Sequence, residues 1–92
     1  MKITTSSGFK FDFDERLTDD WRVLKAISRA DNRGNPEEVI AGCTDLVSII
    51  FGKDEDRLIE HLKKQNDGFV PMEAIKNEIF STFNQAKSLK NS

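Results

Sequence analysis

The chain has 92 residues, of which 37% are hydrophobic and 33% charged. At about 100–200 residues per domain this is one domain with one modest core, polar without being disordered by composition, and too small for a deep enclosed cleft. Fourteen Lys and Arg against sixteen Asp and Glu leave a formal net charge of −2, which argues against a nucleic-acid clamp, because such domains carry a clear basic excess.

Met1 to Gly8 hold one lysine and no apolar run, so no signal peptide is expected. No stretch approaches the ~20 apolar residues of a membrane helix, and the expected place is the cytoplasm. Cys43 is the only cysteine, so no intrachain disulfide and no Cys-x-x-Cys zinc pair can form. It lies in an apolar run, where a cysteine behaves as a small buried hydrophobe.

Phe9, Phe11 and Phe13 alternate with Lys10, Asp12 and Asp14. Period two puts three phenyl rings on one face of a strand. Lys2 to Thr5 form a second β-prone run, and Ser6-Ser7-Gly8 reads as the turn of a hairpin. A lone hairpin is marginal in water, so its Phe face must pack on the helices that follow.

The first helix is expected over Asp19 to Ala30, with Thr18 as N-cap and a stripe of Trp21, Leu24, Ile27 and Ala30 widened by Val23. Asp31 to Gly34 form a turn. The second helix has the clearest signature. Asn35 caps it, Pro36 takes its first position, Glu38 completes a capping-box variant and Gly52 ends it. Its apolar positions run from Val39 and Ile40 through Cys43, Leu46 and Val47 to Ile50 and Phe51, which makes it central. The third begins at Asp54, buries Leu58, Ile59 and Leu62, carries a Glu60–Lys64 pair and ends at the Asn66-Asp67-Gly68 turn. Phe69 and Val70 are expected to return to the core. The fourth runs from Pro71 to about Lys87 on Met72, Ile75, Ile79, Phe83 and Ala86, with Phe80 beside that seam. The expected fold is therefore mainly α with a small β part. An N-terminal hairpin (1–14) packs on a bundle of four short helices (18–87), followed by a frayed tail (88–92).

Chemistry-bearing constellations are scarce. His61 is the only histidine, and its helical neighbours three and four residues away, Arg57, Leu58, Lys64 and Gln65, include no carboxylate to orient it. Asp19-Asp20 and Asp54-Glu55-Asp56 sit at helix starts, where capping and the helix dipole account for them. If Gly68 were the sixth residue of a calcium loop, Lys63 and Ala74 would stand where the anchoring acids belong. Gly34, Gly42, Gly52 and Gly68 are isolated and begin no phosphate-binding loop. No catalytic residue, cofactor site or metal site is expected, nor a nucleic-acid or membrane partner. What remains is apolar surface: seven Phe, one Trp and two Met in a small chain. Either the hairpin covers the excess or a protein partner does.

One further pattern lies in the order of the pieces: Gly8-Phe9-x-Phe11-x-Phe13-Asp14, then Asp19-Asp20-Trp21, then a long apolar helix ending at Phe51-Gly52. Leu58, His61-Leu62 and Asp67-Gly68-Phe69-Val70-Pro71 follow, with Ile79 and Phe83 after the proline. From Gly8 to Phe83 this resembles the small tail assembly chaperones of long-tailed, siphovirus-type phages and prophages of low-GC Gram-positive bacteria. The resemblance implies a binding module without an active site. Such a module coats the helical tape-measure protein while the tail tube assembles, with the tube protein as a second contact, and is absent from the finished virion. Amphipathic helices waiting to be housed need their apolar stripes covered, and a helix-in-groove contact repeated along one long ligand can be individually weak. The candidate partner-binding groove lies between the second and fourth helices, around Ile50, Phe51, Ile79, Phe80 and Phe83. Self-association of the chain is left open. Two other classes stand beside this one: a structural virion protein, such as a head–tail connector or tail component, and a small DNA-associated regulator reading through Arg22, Lys25 and Arg29.

Overall fold

The computed structural model describes residues 1–90. Two strands, β1 (Lys2–Thr4) and β2 (Lys10–Asp12), pair antiparallel with Ile3 opposite Phe11. Two 3-10 turns (Glu15–Asp19 and Gly52–Asp54) and four helices make up the other elements of the described residues: α1 (Trp21–Ala30), α2 (Pro36–Phe51), α3 (Glu55–Gln65) and α4 (Met72–Lys90). This is the expected hairpin on a helical bundle. The fourth helix extends past the expected Lys87, so Ser88 to Lys90 are helical, and the rest of the tail expected at 88–92 lies outside the described residues. No helix among the described residues is long and apolar enough to cross a membrane.

The period-two pattern decides the core. Ile3, Phe9, Phe11 and Phe13 are all buried, on the hairpin face turned to the helices. The Phe11 ring lies 4.7 Å from that of Phe51, and Phe9 meets Phe51 edge-on at 6.1 Å. Phe13 meets Phe83 nearly perpendicular, also at 6.1 Å. Such tilted and edge-to-face pairs are the favoured aromatic geometries.

Helix α1 begins two residues later than Thr18 suggests. The Thr18 hydroxyl donates to the Glu15 carbonyl within the first 3-10 turn, which also buries Leu17, and Asp20 caps α1 by accepting from the Arg22 amide at 2.8 Å. Asp14 caps the 3-10 turn in the same way through Arg16. Hydrogen bonds from the Arg16 and Arg22 side chains, reinforced by the capped amides, hold the Asp14 and Asp20 carboxyls down from 3.8 to about 2. A carboxyl that is more acidic in the folded state stabilises the fold above its unfolded value and loses that effect as pH falls through the folded one. Asp20→Ala is therefore expected to lower the melting temperature at neutral pH, with the gap to the parent closing between 3.8 and about 2. A gap that persists unchanged through that range in a thermal-melt series rejects this account.

The buried face of α1 is not the expected one. Val23 and Ala26 are buried, whereas Trp21 is 75% exposed and Leu24 and Ile27 are also exposed. The cause lies in α2. A Cβ on Gly42 would fall on the Ala30 amide nitrogen and within 2.6 Å of the Ala26 carbonyl oxygen. The two helices cross backbone to backbone, and only the small side of α1 permits that approach.

In α2 the Asn35 side chain accepts from the Glu38 amide, as expected, but Glu38 does not return the bond. Its carboxylate instead accepts from Arg29 Nε at 2.7 Å, tying α2 to α1. Gly52 ends α2 at φ 49°, ψ −119°, and its amide donates to the Ser48 carbonyl. In α3 Leu58 and Leu62 are buried, and Glu60 pairs with Lys63 rather than Lys64. At the α3–α4 turn Asp67 and Gly68 both take positive φ. Phe69, expected in the core, is instead 74% exposed, and only Val70 packs inward.

Candidate partner-binding groove

Two arrangements bring polar or apolar groups together. The first is a hydrogen-bonded cluster that joins the hairpin turn to α3 and α4. Buried Glu78 accepts at Oε1 from Thr5 Oγ1 at 2.7 Å and from Ser7 Oγ at 2.9 Å. His61 Nε2 lies 3.1 Å from both Ser7 Oγ and the Ser7 carbonyl oxygen. Gln65 also donates to that carbonyl, and the Ser6 amide donates to Ser81 Oγ.

Serine, histidine and glutamate together suggest a hydrolytic triad, but the hydrogen bonds run the wrong way. A triad acid orients the histidine, and the histidine takes the serine proton. Here the acid accepts from the serine itself. A carbonyl can only accept, so Nε2 facing the Ser7 carbonyl carries the hydrogen and is not a base toward Ser7. The cluster works as a clamp on the turn. No group of three or more metal-ligating side chains occurs among the described residues.

The second arrangement is an open apolar groove of about 900 Å³ between the end of α1, the first half of α2 and α4. Its floor is Cys43, Leu46 and Ile79, all buried, and its walls include Ile40 (57% exposed) and Phe80 (69% exposed). Met72 and Ile27 extend it, and Phe83, half-buried, reaches from the groove to Phe13 in the core. Burial pushes the Cys43 thiol above its ordinary 9.0, with Lys76 at the rim opposing that shift.

The groove follows from how α2 is shared. Its apolar positions exceed one face. The hairpin, only three residues per strand, covers the C-terminal end at Phe51 and does not reach Val39 and Ile40, which line the groove facing α4. Ile27 also ends the exposed α1 stripe that starts at Trp21, so the apolar surface continues out of the groove along α1.

Of the five residues expected to form a partner site, Ile79, Phe80 and Phe83 line this groove. Ile50 and Phe51 do not. They are 4% and 2% exposed, and Phe51 packs against the hairpin phenylalanines. Their place in the site is corrected to the core, because the last turn of α2 is the part the hairpin covers. Ile40, Met72 and Ile27 line the groove unanticipated. Ile40 and Met72 stand in the apolar patterns of their helices, but periodicity does not distinguish a face covered by the chain from one left open.

The side of α1 that carries Arg22, Lys25 and Arg29 offers less. Arg22 bonds Asp20 at 2.8 Å, and Arg29 bonds Glu38 at 2.7 Å and Asp45 at 3.1 Å. Two of its three cations are thus neutralised within the chain. No family model, no curated protein and no solved structure matches this sequence.

Proposed function

We propose that the protein is a non-enzymatic assembly chaperone that receives amphipathic helices in the groove between α2 and α4. The observation that carries this reading is an open apolar trough bounded by helices, with large hydrophobic side chains at its lip. Large apolar side chains gathered at one opening form the kind of surface that a protein partner can cover. Its shape suits the helix-in-groove mode, in which apolar side chains spaced at three and four insert together. Together with the resemblance noted in the sequence, this points to the tape-measure protein of a long-tailed phage or prophage as the client, in the host cytoplasm during tail assembly. The paired arginines on α1 weigh against a DNA-associated role.

Phe80 tests the groove. It is exposed, so Phe80→Asp is expected to leave stability within about 0.5 kcal/mol of the parent. The same change places a carboxylate where the client's apolar stripe would lie. Co-expression of the tape-measure protein with the parent chain is expected to keep it soluble, and co-expression with the variant is expected to leave it aggregated. Equal solubility with both chains rejects the groove as the site. Mass spectrometry of purified particles separates a chaperone from a structural virion protein, since only the latter remains in them.

A further inference from the structure

The rim of the groove carries a charge pattern that narrows the choice of client. Of the five arginines in the sequence, Arg16, Arg22, Arg29 and Arg57 are each paired with a carboxylate of their own chain. Arg33 is the exception: it makes no ion pair with the described residues, and it stands at the groove. Lys76, on α4, lines the same groove and also makes none with the described residues. The only acid among the groove's lining residues is Asp31. A chain of net charge −2 thus holds a locally cationic rim around this apolar opening, while its other arginines are neutralised at home.

We infer that the occupant is an amphipathic helix of another protein whose apolar stripe is edged by carboxylates, which the free Arg33 and Lys76 meet as the stripe enters the groove. This rests on the helix-docking reading above and adds the chemistry of the client. Complementary charge at a rim selects partners and speeds encounter more than it deepens affinity. The apolar floor therefore supplies the binding and the two cations supply the choice.

The test uses the intact protein and three labelled synthetic peptides of about 18 residues, long enough to be helical. They share one Leu/Phe stripe and differ in its edges, which are Glu, Gln or Lys. Fluorescence anisotropy at low salt is expected to rank them Glu, Gln, Lys, with about ten-fold between the extremes, narrowing as salt screens the rim. Arg33→Glu combined with Lys76→Glu, checked for folding by circular dichroism, is expected to invert the order. Equal binding of all three peptides, each lost on Phe80→Asp, overturns the charge inference and leaves helix docking standing. No binding by any peptide overturns helix docking itself. A dimer that forms without peptide and disperses on Phe80→Asp overturns the inference in favour of a second copy of the chain.

Discussion

Gly42→Ala is expected to be among the most damaging single-methyl additions in the chain. In an exposed helix the same change stabilises by about 1 kcal/mol through helix propensity. Here the new methyl meets the Ala26 carbonyl oxygen at 2.6 Å and the Ala30 Cα at 2.8 Å, and falls on the Ala30 amide nitrogen. Backbone cannot rotate away as a side-chain tip can, so α1 must shift as a body from α2. Overpacking costs about 1–3 kcal/mol, and a clash with main chain lies at the upper end of that range and exceeds the propensity gain. Urea unfolding is the measurement, and an unchanged or raised midpoint removes the close crossing from the account. Ala30→Gly is not expected to rescue the variant, because the obstruction is the Ala30 main chain and not its methyl. The displaced α1 also carries Ile27 and Ala30 out of the groove, so client binding is expected to fall with stability.

The second large effect is expected at Phe51. Its ring is the point on which Phe9 and Phe11 converge, and truncation to alanine opens a cavity where three aromatic rings meet. Phe→Ala changes in cores cost about 3–5 kcal/mol. A domain of this length has about 5–14 kcal/mol in total, so Phe51→Ala is expected to be partly unfolded at 37 °C. Phe80→Ala, chemically the same change, is expected to leave the unfolding midpoint almost unmoved. The pair separates core from surface on two residues that sequence spacing places in one site. A Phe51→Ala protein that melts like the parent while losing its client would return Phe51 to the groove.

The parts of the fold legible in the sequence are those written in local signals. The alternation at Phe9, Phe11 and Phe13 specifies both a strand and its buried face. Asn35, Pro36 and Gly52 bound α2 almost to the residue, because a capping side chain, a proline without an amide and a glycine at positive φ each act within one turn. The parts that were illegible depend on what covers what. Trp21, Leu24 and Ile27 make the stronger stripe on α1, yet the weaker Val23–Ala26 side is buried, because Gly42 on another helix admits only small neighbours. His61 has no acidic neighbour on its own helix. Its partner Ser7 lies 54 residues away, and Ser7 in turn reaches Glu78 across 71. The site divides in the same way. Phe80 stands off its helix seam and is legible as surplus, whereas nothing local separates Phe51, which the hairpin covers, from Ile40, which it leaves bare.

The clamp on the hairpin turn also sets an order of events. Thr5 leaves the ribosome 73 residues ahead of its acceptor, Glu78. Phe13 similarly waits for Phe83. At a synthesis rate of about 5–20 residues per second, the phenyl face of the hairpin stays uncovered for several seconds before its last cover emerges. During that interval the nascent chain exposes the same kind of surface that the folded protein is proposed to shelter on its client, and the seam between β1 and α4 can form only once α4 has emerged.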